Sequence, residues 1–502
     1  MDSAPASTGQ TERVARVAMM QHLWADRAPT TGFAPLSWKT RLLFVALAAG
    51  SFHIAYAFPP LAFVIVGWLY GLFRLSEVGT ARQAFWIGAV AALAAFVPHV
   101  AWFWTLFKFG AIALWMVLAF WIGLFVVVVR FVREQLGFKA ACLLAPFVWT
   151  GFEFFRSELY PLRFSWLIPG YAFSESGANP VHWPLGMYGF GFVTIGLVAW
   201  FSTQARTVAL VANGLLITLL AFLANHPQDT SVRHPVKLRS VSVAGVQLEM
   251  KHDLEVLEAL KLAREKHPTI ELFVLSELSF DGPVSARVRD WCRRERVHLI
   301  AGGKELLGDR GFFNTAYVIN PDGEVVFKQV KSRPVQFMDD GLPATEQRVW
   351  DSPWGKIGIC ICYDLSFTRV TDGLIRQGAK ALIVPTMDAE HWGAYQHRLH
   401  ARVAPVRAAE YGVPIFRVAS SGISQMVEPE GHVTATAPFP GQHESLAATL
   451  NLRWSPARTP LDRYLVWPCV AVAFGLLGWH VVEGLRSRFN PSRSRGTIHN
   501  LQ

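Results

Sequence analysis

The sequence predicts an α-helical membrane domain of about eight spans joined to a water-facing α/β domain. Hydrophobic residues make up 52% of the 502 residues and charged residues only 17%, whereas charged residues are about 25% of an average soluble chain. Several apolar runs before residue 226 are long enough to cross the roughly 30 Å hydrocarbon core of a bilayer as helices. Residues 228–455 instead combine dense charge with short β-branched runs, which is typical of a soluble α/β domain.

Seven predicted spans precede the α/β domain and one follows it. They lie near residues 41–57, 59–74, 84–107, 111–131, 139–157, 186–203, 206–225 and 464–482. Only a tight turn at Phe58-Pro59-Pro60 separates the first two, because a Pro-Pro pair cannot continue a helix. The chain therefore divides into an N-terminal arm, a transmembrane domain, an α/β domain, a closing helix and a basic tail, at residues 1–40, 41–227, 228–455, 456–485 and 486–502.

The basic residues between the spans predict their orientation, because Lys and Arg are retained on the cytoplasmic side. They gather before span one and after spans two, four and six, as Arg13, Arg16, Arg27, Lys39, Arg41, Arg74, Arg82, Arg130, Arg133, Lys139 and Arg206. The alternate loops carry few, chiefly Lys108, Arg156 and Arg163. Both termini are therefore expected in the cytoplasm and the α/β domain on the other side, which is the periplasm of a bacterium with two membranes.

Charge and cysteine content argue against two other classes of protein. The net charge of +10 lies at chain ends and between apolar runs, not in a basic cluster with interleaved aromatics that would indicate nucleic-acid binding. The five cysteines are an odd number, so a disulfide framework is not expected.

A metal site is not predicted either. His391, His397 and His400 lie in one stretch, where histidines three residues apart share a helix face. The stretch has no carboxylate or cysteine at a recognised ligand spacing. We therefore expect a solvated or packed helix, and Glu153 with Arg156 is expected to be a structural pair near a membrane interface.

Three stretches of the α/β domain each place one reactive side chain beside a strand-like run, which is how a scaffold presents a site on its loops. Glu277 follows the apolar run Leu272–Leu275, Lys331 opens Lys-Ser-Arg-Pro-Val-Gln-Phe, and Cys362 ends Gly-Ile-Cys-Ile-Cys. Taken singly, such residues are more often a helix cap, a solvated charge and part of a core. Together they indicate a reactive site.

The three side chains are the groups that acyl transfer through cysteine requires. A thiol is mostly un-ionised at neutral pH, so Cys362 needs a base and a cation nearby. Glu277 is the candidate base and Lys331 the candidate cation. The lysine ammonium and a backbone N–H such as that of Tyr363 are suited to stabilise the oxyanion of a tetrahedral intermediate.

With this order of Glu, Lys and Cys, the domain resembles the carbon-nitrogen hydrolase, or nitrilase, superfamily. The resemblance implies an αββα sandwich, with Glu277 as general base, Lys331 as oxyanion stabiliser and Cys362 as nucleophile. Lys328 is the alternative lysine, because the family's Tyr-x-Lys reads Gln329-Val330-Lys331 here. The Arg-Pro-Val-x-Phe that follows favours Lys331.

The arrangement of spans, nitrilase-like domain and closing span is similar to the apolipoprotein N-acyltransferase family over roughly residues 40–482. The matching strings are Phe164-Ser-Trp-Leu-Ile-Pro-Gly-Tyr171, Gly186-Met-Tyr-Gly-Phe-Gly-Phe192, Ile361-Cys-Tyr-Asp364, Arg407-Ala-Ala-Glu-Tyr-Gly-Val-Pro-Ile-Phe-Arg417 and Ser421-Gly-Ile-Ser424. Asp339 and Asp364 stand where the family has Glu, and Thr386-Met-Asp388 replaces Ser-Asn-Asp. The shorter Asp339 and Asp364 are expected to support the site from closer range or through water.

The resemblance implies transfer of an acyl chain from a membrane phospholipid to the α-amine of a diacylglyceryl-cysteine on a bacterial lipoprotein. A monomer in the inner membrane, without a cofactor, is expected. One alternative is a membrane-anchored amidase that releases the acyl group to water. Another is a transporter or scaffold with a degenerate enzyme domain, which intramembrane ionisable residues facing a cavity would favour.

Overall fold

The protein is described here by a computed structural model covering residues 35–175, 185–203, 214, 239–250, 252–452, 457 and 459–489. Apart from residue 214, the predicted span at 206–225 lies outside the described residues, as do both predicted boundaries of the α/β domain. The N-terminal arm before residue 35 and the tail after residue 489 also lie outside them.

The described part of the membrane half is mainly helical, and short turns join its first six helices. They are α1 Trp38–Ala57, α2 Ile65–Leu75, α3 Ala81–Phe96, α4 Phe103–Phe107, α5 Gly110–Leu136, α6 Phe138–Phe154 and α7 Gly186–Phe201. Pro59–Val64 forms a 3-10 turn between α1 and α2, as the Pro-Pro pair predicted. A π-helical turn, Phe155–Leu159, extends α6.

Residues 239–452 form two six-stranded sheets. The first has the order β12-β1-β2-β3-β4-β5 and the second β11-β10-β9-β8-β7-β6. In chain order the strands are Arg239–Val246, Leu272–Leu275, His298–Leu306, Phe312–Ile319, Val325–Val330, Val349–Ser352, Gly355–Ile359, Ala381–Thr386, Ile415–Ala419, Gln425–Val427, Val433–Thr436 and Ser445–Leu452. β1-β2-β3 and β7-β8-β9 are parallel and the outer strands antiparallel, so the sheets share one topology although the sequence has no visible repeat.

Helices cover the outer face of each sheet, which confirms the predicted αββα sandwich. They are α8 Asp253–Lys266, α9 Ala286–Glu295, α10 Thr368–Arg376, α11 Ala394–Ala401 and α12 Val403–Tyr411. On α8 the buried residues recur at helical spacing, from Val256 to Ala263, so one apolar stripe faces the sheet. Between the sheets, a Cβ added at Gly245 would lie 2.6 Å from Val418, so the inner faces are in close contact.

The last helix, α13, runs from Asp462 to Phe489. Among the described residues, four segments are long and apolar enough to cross a membrane: Trp38–Ala57, Gly110–Leu136, Phe138–Leu159 and Asp462–Arg486. Three shorter apolar helices accompany them. The structure therefore supports a membrane domain, and the count of eight spans remains a prediction.

The predicted single span at 84–107 is wrong. Helix α3 ends at Phe96, and the chain turns before α4 begins at Phe103. Pro98 has no N–H to donate to the carbonyl of Ala94. That oxygen instead lies 3.0 Å from Nε2 of His53 on α1.

A buried ionic cluster joins the α/β domain to the membrane helices. Asp462, at the start of α13, accepts hydrogen bonds from the backbone N–H groups of Tyr188 (2.9 Å) and Gly189 (3.3 Å) at the start of α7. Its neighbour Arg463 pairs with Asp372 on α10 at 3.1 Å and with Glu410 on α12 at 2.8 Å. Each charge has a partner of opposite sign, which burial requires, so the two halves are held in a defined relative position.

Candidate active site

Cys362 lies just beyond β7, at the first residue of a 3-10 turn that ends at Ser366. Its φ angle is +52°, in the left-handed region that costs a residue other than glycine about 1–3 kcal/mol. The side chain is 4% exposed, and Sγ lies 3.7 Å from the carbonyl oxygen of Met387. The strained turn therefore holds the thiol in a nearly enclosed position.

Lys331 directly follows β5 and is 1% exposed. Its backbone N–H donates to the Asn314 carbonyl at 2.8 Å. Nζ lies 2.6 Å from Oε1 of Glu277 and 2.6 Å from Oδ2 of Asp340. Lys328, the alternative lysine, instead pairs with Glu305 on the exposed side of the sheet. The structure thus brings Lys331, and not Lys328, to Glu277.

Glu277 follows β2 and is 1% exposed. Oε1 also accepts a 2.7 Å hydrogen bond from Asn314 Nδ2, and Oε2 accepts one of 2.8 Å from the Met387 N–H. Cys362 lines the same cavity as Glu277, and its Sγ contacts the carbonyl of Met387, the residue whose N–H donates to Glu277. The three residues predicted to react therefore meet at one point, although they belong to different strands of two sheets.

Burial sets the protonation states of this cluster. It raises the pKa of the Glu277 carboxyl above its ordinary 4.5, against the opposing effect of Lys331. Burial also disfavours the Lys331 ammonium, but the charges of Glu277 and Asp340 outweigh it and hold the lysine pKa well above its ordinary value. Burial and then the Glu277 charge raise the pKa of the Cys362 thiol. The resting site therefore holds a neutral thiol beside a charged lysine.

The supporting acid beside the lysine is Asp340, not the predicted Asp339. Asp339 is exposed at the rim of the site. Asp340 is buried and accepts hydrogen bonds from Asn314 Nδ2 (2.8 Å) and the Val335 N–H (2.7 Å). Phe337, in the turn between Val335 and Asp340, adopts a φ of +66°. This turn directs Asp340, rather than Asp339, toward Lys331.

Asp364, the other predicted supporting acid, connects the two reactive loops. It accepts hydrogen bonds from the N–H groups of Ser332 (3.1 Å) and Arg333 (2.7 Å) beside the lysine, and from that of Ile361 (3.2 Å) beside the cysteine. Burial raises its pKa to about 6. Its contacts are thus to backbone on both loops, so it fixes the lysine loop relative to the cysteine turn.

Tyr363 anchors the cysteine turn to the membrane half. Its hydroxyl donates a 2.9 Å hydrogen bond to the Arg163 carbonyl, and its ring packs edge-on against Trp166 and Phe367. The use of its backbone N–H as an oxyanion donor remains a prediction.

The histidine stretch contributes a packed pair. His400 Nδ1 lies 2.7 Å from Oδ1 of Asp388, and its ring stacks on Trp166 with centroids 4.5 Å apart. Arg417 also pairs with Asp388. Burial alone would raise the pKa of Asp388, but the neighbouring His400 and Arg417 outweigh this effect and hold the pKa below its ordinary value. Asp388 follows β8 as Glu277 follows β2, so the equivalent positions of the two sheets both carry buried acids.

No metal cluster is formed by these histidines: within the described residues, no group of three or more His, Cys, Asp or Glu could hold a metal ion. All five cysteines are described and free. Glu153 and Arg156 are both buried, with a separation of 3.8 Å between Oε1 and NH2.

A cavity of about 410 Å³ joins the reactive cluster to the membrane helices. Glu277, Lys331 and Cys362 line one end. The other end is formed by apolar residues of α4 and α5 and the turn before α4, which are Trp102, Phe103, Leu106, Phe107, Leu114, Val117 and Leu118. The site can therefore admit a molecule that has a reactive polar group and an apolar chain.

Comparison with known proteins gives matches to both halves of the chain. Residues 42–200 match the apolipoprotein N-acyltransferase N-terminal domain, and residues 257–452 match the carbon-nitrogen hydrolase family. The chain belongs to the apolipoprotein N-acyltransferase family. The match of residues 42–200 decides this, because that range contains most or all of each of the helices α1 to α7 and lies wholly outside the carbon-nitrogen hydrolase match.

Relatives within and outside the family show the same division. The apolipoprotein N-acyltransferase of Geobacter metallireducens is 23% identical over 78% of this chain and 86% of its own length. That of Azotobacter vinelandii is 24% identical over 90% of this chain and 92% of its own. The deaminated glutathione amidase of Dictyostelium discoideum is 27% identical but matches only 31% of this chain and 62% of its own length.

In this member of the apolipoprotein N-acyltransferase family, sequence reasoning did not find Asn314, Asp340 and His400 as parts of the site. Asn314 lies inside β4, where no adjacent turn or motif marks it. Asp340 was not identified because Asp339, directly before it, stands at the position where the family has Glu. His400 was expected only in a solvated or packed helix, because its partner Asp388 comes from a different element.

Proposed function

We propose that the protein transfers an acyl chain from a membrane phospholipid to the α-amine of a lipoprotein's N-terminal diacylglyceryl-cysteine, through a thioester on Cys362. The observation that carries this is the cavity, which places a buried Cys–Glu–Lys cluster at one end of an apolar passage lined by α4 and α5. Both substrates keep their acyl chains in the bilayer while the reacting ester or amine lies near its surface.

In the first step, Glu277 accepts the thiol proton as Cys362 Sγ attacks the ester carbonyl. The resulting tetrahedral oxyanion is stabilised by the Lys331 ammonium and a backbone N–H. The C–O bond then breaks, Glu277 returns the proton to the departing alkoxide, and a lysophospholipid leaves. The acyl chain remains on sulfur with its tail in the apolar part of the cavity.

In the second step, the acceptor's α-amine attacks the thioester carbonyl. Glu277 accepts a proton from the nitrogen, the C–S bond breaks, and the thiolate is reprotonated from Glu277. The products are an amide and the free enzyme. No oxidant, reductant or additional reactant is required.

The membrane half disfavours the alternative in which water accepts the acyl group. Residues 42–200 match a domain of the N-acyltransferases, and the cavity wall opposite the cysteine is formed by hydrophobic side chains. Location in the inner membrane, with the α/β domain in the periplasm and the protein acting as a monomer, belongs to the same proposal. It is supported by the distribution of Lys and Arg.

The test is to trap the acyl-enzyme. The full chain in phospholipid micelles should gain the mass of one acyl group at Cys362, and a diacylglyceryl-cysteine peptide should release it as an N-acyl peptide. Cys362→Ala and Cys362→Ser should give neither product. Cys360→Ala is the matched control, because Cys360 is a buried free thiol close by in the sequence. Release of label as free fatty acid at the same rate with and without peptide would contradict the proposal.

A further inference from the structure

Three arginines that the proposed reaction does not use gather beside the cysteine turn. The guanidinium carbons of Arg163 and Arg333 lie 5.7 and 6.0 Å from the ring centroid of Phe367. Arg369 is exposed in the first turn of α10, two residues after Phe367. We call Arg163, Arg333 and Arg369 the arginine cluster.

The cluster has no acidic counterpart of its own. Within the described part of the chain, no carboxylate forms an ion pair with any of the three side chains. Arg163 donates through NH1 to the Glu158 carbonyl at 3.4 Å, and its buried Nε has no hydrogen-bond partner. The nearby carboxylates are already engaged. Asp364 accepts from the Ser332 and Arg333 backbone, and Glu158 accepts from the Thr368 N–H and the Tyr188 hydroxyl.

Like charges in the same region destabilise one another. Burial, followed by the charges of Arg163 and Arg369, lowers the pKa of the Arg333 guanidinium. An anion with several acceptor oxygens would relieve this repulsion and satisfy the open N–H groups. Phosphate fits best, because planar guanidinium groups bind it through paired hydrogen bonds.

The position of the cluster selects the source of the phosphate. Arg163 lines the cavity together with Cys362, and its carbonyl is bonded to the hydroxyl of Tyr363, the residue after the nucleophile. In a glycerophospholipid, only the glycerol backbone separates the phosphate from the ester carbonyl. A lipid with its ester at Cys362 would therefore have its phosphate near Arg163, the member of the cluster that lines the cavity.

We propose that Arg163, Arg333 and Arg369 form the binding site for the phosphate group of the phospholipid acyl donor. This inference rests on the proposed function, since it names the part of the donor that the cavity must recognise. Inorganic phosphate carries the same chemistry without the acyl chains, so the experiment must separate the two sources.

The test measures binding without turnover, using the full chain in detergent with Cys362→Ala in every variant. Calorimetric titrations use a short-chain phosphatidylglycerol, the matching diacylglycerol, and inorganic phosphate. Arg163→Gln and the double variant Arg333→Gln/Arg369→Gln are compared with Arg376→Gln. Arg376 is the matched control, because it lies on α10 but its side chain is 67% exposed and faces Asp372.

Each arginine removed should weaken phosphatidylglycerol binding about tenfold, the usual effect of losing a charge-assisted contact. Affinity for diacylglycerol, and all affinities of the control, should change by less than about twofold. Added salt should weaken the binding of the phospholipid but not that of the diacylglycerol, because only phospholipid binding includes an ionic interaction. Inorganic phosphate should compete only weakly, because it lacks the acyl chains.

Three results would overturn the site: unchanged phospholipid affinity, equal loss for diacylglycerol, or inorganic phosphate binding as tightly as the phospholipid. Failure of the proposed function has a different signature. The protein with Cys362 intact would form no acyl-enzyme and no N-acyl peptide. The arginine variants would still lose affinity for phosphatidylglycerol but not for diacylglycerol.

Discussion

The Lys331 ammonium lies 2.6 Å from Oδ2 of Asp340 and at the same distance from Oε1 of Glu277. One buried cation is thus shared between two carboxylates, and Asn314 donates to both of them. Asp340 therefore contributes to the charge and position of the lysine together with Glu277.

Asp340→Asn should slow acyl-enzyme formation by at least about tenfold, because it removes a charge-assisted hydrogen bond to the lysine, a loss of roughly 1.5–3 kcal/mol. The rate is read from intact mass in a single turnover. Asp339→Asn is the control and should stay within about twofold of the unaltered protein, since Asp339 is exposed. A larger loss for Asp339→Asn would restore the sequence-based assignment.

The acylation rate should fall on the acid side at a pH above the ordinary 4.5 of a glutamate, because burial raises the pKa of Glu277. The sign follows from its role: only the unprotonated carboxylate accepts the thiol proton, so activity is lost as pH falls through the raised pKa. Single-turnover rates against pH measure this. An acid limb at or below 4.5 would contradict it, and Glu277→Gln should remove acylation across the range.

Asp388→Asn should lower the free energy of unfolding by about 3–5 kcal/mol at neutral pH, because it leaves Arg417 buried without its partner. In the unaltered protein the folded-state pKa of Asp388 is depressed. The stabilisation that ionised Asp388 contributes is therefore present above the ordinary aspartate pKa and disappears as pH falls through the folded-state pKa. Denaturant unfolding followed by tryptophan fluorescence measures the change. Asp290→Asn, which breaks an exposed pair with Arg293, should cost less than about 1 kcal/mol.

Leu114→Trp should shorten the acyl chain that the enzyme accepts, because Leu114 lines the cavity from α5. Each methylene excluded from the apolar wall removes about 0.8 kcal/mol of burial, or roughly a factor of four in rate per methylene. Acyl adducts formed from a mixture of chain lengths are resolved by mass. Met116 lies on the same helix but is 40% exposed and does not line the cavity, so Met116→Trp should leave the distribution of chain lengths unchanged.

Much of the fold followed from local pattern. Dense charge combined with short β-branched runs predicted an α/β domain, and the resemblance to the nitrilase superfamily implied the sandwich. The loop after each of three strands carried one reactive residue. Glu277, Lys331 and Cys362 could be found this way. Asp340 could not, because its contact depends on a turn at Phe337 whose backbone conformation is set by the surrounding structure. The pairing of His400 with Asp388 likewise depends on how α11 packs, which no single stretch of sequence encodes.

The break after Phe96 separates two tasks that one continuous helix would have combined. α3 packs within the bundle against α1 and α5, whereas Trp102 and the short α4 line the cavity. Substitutions in α4 can therefore retune the length of lipid that is accepted while the bundle keeps its packing. Divergence among homologues in substrate preference is accordingly expected to concentrate in residues 102–107 rather than along α3.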